Sequence, residues 1–263
     1  MRGKRRLKRT LTGWKERILW GGKIREELLI RLLRRHYKSL FRRLWELDKE
    51  RPHFTNHRLI WFLFGFGDGA MRPYQLARAF YSAEALSPDD VVLDIGCGDG
   101  FLTNHFLATQ CAEVDALDIE PAAIREAQRT NARSNITYLL RDAAREPFPR
   151  EKYDVIFWNG AIGHFAAPDI ALILKKIAAA LQPGGVFAGS ESLGHEGHDH
   201  LQFFQTDEDL GNLFRPHFAH VAMKTLRYPI NNGTFVRDEA YWRCSNSPAR
   251  LAKAGWHHLN ARS

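Results

Sequence analysis

The stretch Val91-Val92-Leu93-Asp94-Ile95-Gly96-Cys97-Gly98-Asp99-Gly100 places a short apolar run directly before three glycines at alternate positions. An apolar run of this length, closed by a glycine turn, reads as a strand buried on both faces, and residues 101–108 after it read as a helix. Strand, tight turn and helix in that order form the backbone cradle on which α/β proteins hold nucleotides. A dinucleotide fingerprint needs glycine at 96, 98 and 101, but residue 101 is Phe and the third glycine comes one position early. Asp94 adds a second objection, because a carboxylate there sits badly beside a pyrophosphate. The same carboxylate suits a ligand that carries a cationic amino group and a sulfonium. Glycines are needed because the backbone passes close to the ligand with no Cβ in the way.

Outward from this turn, short apolar runs alternate with helical segments. Further strands are expected at 114–118, 136–140, 153–158 and 186–191, with helices at 121–133 and 168–181 between them and one at 73–86 ahead of the first strand. Strands separated by helices imply right-handed crossovers and a parallel sheet covered on both faces. Residues 220–228 and 240–245, around an Asn231-Asn232-Gly233 turn, read instead as an antiparallel hairpin. The expected fold is therefore α/β: a doubly wound, mostly parallel, seven-stranded Rossmann-like sheet with an antiparallel C-terminal edge hairpin, plus an N-terminal helical extension. The expected division is an extension at 1–58, a catalytic domain at 59–245 and a C-terminal tail at 246–263.

Eighteen residues after Gly100 the second strand ends at Asp118, whose carboxylate can accept hydrogen bonds from both hydroxyls of a ribose. After the third strand, Arg141-Asp142-Ala143 puts a carboxylate and a small residue where an adenine amino group can be read. Pro183-Gly184-Gly185 is a tight turn opening the fifth strand. Together these features resemble the class I S-adenosylmethionine-dependent methyltransferases, whose first motif is D-x-G-x-G-x-G. The matching residues are Asp94, Gly96, Gly98 and Gly100, then Asp118 in ALDIEP, Asp142 in RDAAREPFP and the LQPGG turn. The likeness is strong over residues 85–191, weaker to about 245, and does not reach the N-terminal arm.

The resemblance implies S-adenosyl-L-methionine as cofactor. Asp94, Gly96, Gly98 and Gly100 would contact its methionine part, Asp118 the ribose, and Asp142 with Ala143 the adenine. Cys97, Ile119 and Asn159 complete the expected donor-contacting set, with Cys97 read as a small spacer and not as a nucleophile.

Methyl transfer from a sulfonium is an in-line displacement, so the protein mainly aligns the partners and excludes water, and some acceptors also need a base. The stretch after the fourth strand, Phe157-Trp158-Asn159-Gly160-Ala161-Ile162-Gly163-His164-Phe165, is similar to the N-A-x-L-H-H stretch of small-molecule members, with Gly163 in place of the first histidine. His164 is a candidate base or acceptor-orienting group; the alternative is a histidine packed at the pocket rim. His195, Glu196, His198, Asp199 and His200 lie past the fifth strand at the ligand end of the sheet, where His200 is a second catalytic candidate. Their spacing fits no familiar zinc pattern, and no metal is expected. Phe101, Trp158, Phe165 and Phe203 either offer aromatic faces to the sulfonium or belong to the core. Residues 159–162 lack the Asp/Asn-Pro-Pro-aromatic stretch of base-amine methyltransferases, and no cysteine lies between Cys111 and Cys244 to serve a cytosine-C5 mechanism. The expected acceptor is a small molecule, a saccharide or a lipid-linked precursor, with RNA as the alternative substrate and a non-catalytic donor-binding protein as the alternative class.

Composition bounds the rest. The 263 residues are 44% hydrophobic and 26% charged, ordinary for a globular chain. The net charge of +8 is uneven: residues 1–58 hold 19 Lys and Arg against 6 Asp and Glu, and the remainder 19 against 24. Residues 24–47 read as a basic amphipathic helix, 48–56 as a linker and 59–66 as a buried helical piece. Three readings of this arm stay open: a helix packed on the catalytic body, attachment to an anionic membrane surface, and capture of nucleic acid. Three cysteines without a C-x-x-C pair encode no disulfide framework, and charges at 15–17 break any secretory apolar segment, so a cytoplasmic location is expected, with attachment peripheral to a membrane as the alternative.

Overall fold

The computed structural model describes residues 73–194, 200–230, 235–251 and 256–259, together with Leu28, Arg31, Leu32, Arg35 and His36. The chain divides into two compact units, Met1–Ile60 and Trp61–Ser263. In the first unit the five described positions are helical and exposed. The rest of the expected helix at 24–47, the linker and the piece at 59–66 lie outside the described residues. No helix among the described residues is long and apolar enough to cross a membrane.

The second unit is built on one mixed sheet. Its strands are β1 (Val91–Ile95), β2 (Glu113–Asp118), β3 (Ile136–Leu140), β4 (Tyr153–Asn159), β5 (Leu181–Leu193), β6 (His220–Ile230), β7 (Phe235–Ser245) and β8 (His257–Leu259), in the order β3-β2-β1-β4-β5-β7-β6-β8. Pairing is parallel from β3 through to β5 and antiparallel from β5 onward. The helices are α1 (Pro73–Ala83), α2 (Pro121–Thr130), α3 (Ala167–Ala180) and α4 (Asp207–Phe214). From β1 the chain winds to β2 and β3 on one side, then returns to β4 and β5 on the other. The crevice at the C-terminal ends of β1 and β4 is thus the topological switch point, where ligands bind in open α/β sheets.

Alternation along the strands divides the core in two. Val92, Val114, Ala116, Val155 and Phe157 pack with Ile124 and Ala127 of α2. On the other face Leu93, Ile95, Leu117 and Ile156 pack with Ile170, Ile173, Leu174 and Ile177 of α3 and with Leu210 and Phe214 of α4. Burial on both faces is why these strands read as continuous apolar runs.

Several expectations are corrected. The seven expected strands and their antiparallel hairpin are present, and a short eighth, β8, in the segment expected as a tail, pairs with β6 beyond the hairpin. A strand as long as β6 otherwise leaves a row of backbone groups unpaired, and β8 covers part of it. Strand β5 begins at Leu181, which pairs with Tyr153; the next pair is Val155 with Val186, so Pro183-Gly184-Gly185 forms an irregularity inside the strand. The turn at 231–233 lies outside the described residues. Residues 101–108 are not an α-helix throughout: Thr103–Leu107 is a π-helical turn, with the Ala108 N–H donating to the Thr103 carbonyl at 2.9 Å. Helix α4 was not anticipated. Its signal is a capping box, in which Thr206 Oγ1 accepts from the Asp209 amide at 3.3 Å and Asp209 Oδ2 accepts from the Thr206 amide at 2.9 Å.

Trp158 and Trp242 fill the space at Gly189 on β5, where an added Cβ would collide with the Trp158 carbonyl oxygen and the Trp242 indole. Both indoles are fully buried. Gly189→Ala is expected to lower unfolding free energy by about 1–3 kcal/mol, the usual cost of overpacking. Urea denaturation checks this, and an unchanged midpoint would refute the packing account.

Candidate active site

The turn after β1 is held by the end of β2. The amides of Gly96 and Cys97 both donate to the Leu117 carbonyl, at 2.8 and 3.0 Å. Asp118 Oδ2 accepts from the Gly98 amide at 2.9 Å, and Oδ1 from the Glu120 amide at 2.8 Å. Gly96 has φ of 72°, in the left-handed region, and a Cβ there would stand 2.9 Å from that of Ala161, so both conformation and close approach demand glycine.

Two cavities meet at Gly96. The first, about 480 Å³, lies over the ends of β2 and β3 and is lined by Asp118, Ile119, Asp142 and Ala143, with Ala161 and His164 from the segment after β4. The second, about 470 Å³, lies between the glycine turn and α1, and is lined by Cys97, Gly98, Phe101, Asn159 and Arg78. Eight of the expected donor-contacting residues thus line one cavity or the other. Asp94 and Gly100 are the exceptions. Asp94 is only 3% exposed and stands behind the turn, where its Oδ2 accepts the Thr103 hydroxyl at 2.6 Å. Burial pushes its carboxyl up to about 7, against the opposing pull of that hydrogen bond. Gly100 is covered by the Tyr138 ring.

Ile119 is exposed at the rim and offers an apolar face to the first cavity. Asp142 is held below the usual carboxylate range: partial burial raises it, but the Arg145 side chain at 2.9 Å and the Ala144 amide at 2.8 Å outweigh that. The Cys97 thiol is pushed far up, first by burial and then by Asp94, which removes it as a nucleophile at neutral pH. Asn159 joins the end of β4 to α1 by donating from Nδ2 to Ser82 Oγ at 3.1 Å.

Arg78 is the site residue that sequence reasoning missed. Its Nε donates to Glu239 Oε1 at 2.5 Å, and a Cβ on Gly160 would collide with its guanidinium, so the fork reaches the end of β4. Burial works against its charge, and Glu239 more than compensates. Its partners are 82 and 161 positions away along the chain, which is why no local pattern marks it.

His164 ends a short 3₁₀ turn, Ile162–His164, and lines the first cavity. Its ring stands at 84° to that of His200, with centroids 4.3 Å apart. His195, Glu196, His198 and Asp199 lie outside the described residues. Of the four aromatic candidates, Trp158 belongs to the core: it is fully buried and packs edge-on against Phe165, with centroids 5.1 Å apart. Phe101 and Phe165 line the second and first cavities respectively, and Phe203 is partly exposed beside His200. Among the described residues no group of three or more His, Cys, Asp or Glu side chains is placed to hold a metal ion.

Residues 92–185 match a family model described as a methyltransferase domain. An uncharacterized methyltransferase of Mycobacterium tuberculosis is 34% identical over 97 residues, covering 37% of this chain and 48% of the relative. One from Schizosaccharomyces pombe is 33% identical over 176 residues, covering 65% of this chain and 61% of the relative. The chain thus spans about half to three fifths of the length of these relatives. A solved Leishmania major SAM-dependent methyltransferase aligns over 64% of this chain and 70% of its own, with a TM-score of 0.52 and 19% identity, a likeness of fold. With the strand order and the glycine turn clamped by Asp118, the match over residues 92–185 identifies a methyltransferase domain on a Rossmann-like sheet.

Proposed function

We propose that the chain binds S-adenosylmethionine and transfers its methyl group to a small-molecule, saccharide or lipid-linked acceptor. The observation that supports this most directly is the pair of cavities that share Gly96 in their linings, with Asp118 and Asp142 in one and Arg78 beside the glycine turn in the other. Such a site is chemically bipolar. The carboxylates suit ribose hydroxyls and an adenine amino group, the guanidinium suits a carboxylate, and a nearby ammonium or sulfonium would favour the ionised form of buried Asp94.

S-adenosylmethionine would supply an electrophilic methyl carbon on sulfur. Asp118, already oriented by two amides, keeps lone pairs for the ribose. Ile119 and Ala143 enclose the adenine, and Arg78 holds the α-carboxylate through its terminal nitrogens. His164, at the acceptor side of the first cavity, takes up the proton lost by an acceptor O–H or N–H. The Asn159-Gly160-Ala161-Ile162 sequence supports a small acceptor over a nucleic-acid base. The +13 arm at residues 1–58 supports contact with an anionic membrane surface. Titration calorimetry with S-adenosylmethionine tests donor binding. Tritium-labelled methyl donor incubated with cell extract, then fractionated into lipid, RNA and small-metabolite pools, tests the acceptor class. Label in the RNA pool alone would overturn the small-acceptor reading.

Asp118→Ala is expected to weaken S-adenosylhomocysteine binding by about 1.5–3 kcal/mol, the range for a charged hydrogen-bond partner, and calorimetry at constant pH measures it. Arg78→Lys, which keeps a cation near Glu239 but loses the planar fork, is expected to cost about tenfold in the same affinity.

Asp94 carries a pH signature. Its folded value of about 7 lies above the ordinary 3.8, so the folded state holds a proton that the unfolded chain has lost. Stability from this group is intact below about pH 4 and declines as pH rises to about 7, by roughly 2–4 kcal/mol. Asp94→Asn without donor is therefore expected to be more stable than the native chain at pH 8, with the difference vanishing near pH 4. Thermal denaturation across that range checks the sign.

A further inference from the structure

Gly163 departs from the histidine that its position resembles, and the structure shows what occupies the vacated space. A Cβ on Gly163 would stand 2.9 Å from Nδ1 and 3.1 Å from Cε1 of His200. The backbone there is stitched in three directions. The Gly163 carbonyl accepts from the amides of Leu201 and Gln202, at 2.8 and 3.0 Å. Its amide donates to Oε2 of buried Glu191 at 3.1 Å. Further along, the Gly194 amide donates to the Phe204 carbonyl at 2.8 Å, closing the base of the excursion that delivers His200. His200 therefore arrives from beyond β5, at a point fixed by backbone hydrogen bonds, and lies edge-to-face against His164 at 4.3 Å between centroids.

We propose that His200 is a positioning residue for His164, admitted by the missing side chain at Gly163, so that two imidazoles from separate segments form one proton-accepting unit at the acceptor side of the cavity. This rests on the reading of His164 as the group that takes the acceptor's proton. An imidazole is useful as a base only when its ring plane is held toward the incoming group. His164 sits on a three-residue turn, and the perpendicular His200 ring packed against it limits its rotation. His200 does not line either cavity, so its influence on the reaction passes through His164. Glu191 holds the Gly163 amide and so fixes the height of the turn against β5.

The test uses the full chain with S-adenosylhomocysteine bound. Imidazole resonances are recorded by two-dimensional proton–nitrogen NMR, and the His164 signal is identified by its loss in His164→Gln. Both His200→Ala and Gly163→Ala are expected to move the His164 resonances by several tenths of a ppm, as the ring contact is lost or displaced. His200→Phe, which keeps an aromatic ring there, is expected to restore most of the shift. S-adenosylhomocysteine affinity is expected to stay within twofold in all three. Label transfer from tritiated S-adenosylmethionine into cell extract is expected to fall at least tenfold in His200→Ala at unchanged KM for the donor. His164 resonances unmoved in His200→Ala, or label transfer at the native rate, would overturn the proposal. Native-rate transfer in His164→Gln, or no S-adenosylhomocysteine binding by the native chain, would instead overturn the reading of the site on which it rests.

Discussion

The carboxylate of Asp118 joins the two strands that define the site. One oxygen accepts the Gly98 amide, the other accepts the Glu120 amide at the start of α2, and the preceding carbonyl of Leu117 takes the amides of Gly96 and Cys97. The glycine turn thus belongs as much to β2 as to β1. Four backbone donors that would otherwise face an open crevice are satisfied, which keeps the turn in shape without a ligand. Because both cavities are lined by this turn, its placement shapes both.

A second constraint comes from charge buried beneath α1. Arg237, Glu239, Tyr241 and Arg243 recur at alternate positions of β7, all buried. Glu239 accepts from Arg78 on one oxygen and from Arg237 on the other, and Arg243 donates to the Tyr81 carbonyl of α1. A carboxylate removed from water so completely is tolerable only with such partners, and losing one of them strands the rest. The consequence for function is geometric: the antiparallel strand, through Glu239, holds the Arg78 fork over Gly160 at the end of β4. The antiparallel part of the sheet therefore shapes the second cavity.

The histidine pair shows the same dependence on distant segments. Gly163 supplies the space, Leu201 and Gln202 supply the hydrogen bonds that use it, and Glu191 anchors the turn. No single segment contains the arrangement. It arises where the connection after β4 meets the one after β5, at the ligand end of the parallel strands.

Local sequence was enough for the parallel half of the sheet, the crossover helices, the glycine turn and the placing of Asp118 and Asp142 at strand ends beside the first cavity, whereas the burial of Asp94 behind the turn came only with the fold. The legible features are encoded by contiguous periodicity, by glycines where the backbone must bend, and by carboxylates at strand ends. Helix α4 also carries a local signal, the capping box of Thr206 and Asp209. The π-helical turn at Thr103–Leu107 and the eighth strand were not legible, because each depends on what lies opposite in space. Tertiary structure alone placed Arg78 over Gly160 and His200 in the vacancy at Gly163. Both follow from contacts between residues tens of positions apart, whose side-chain chemistry the sequence determines but whose meeting only the folded chain can bring about.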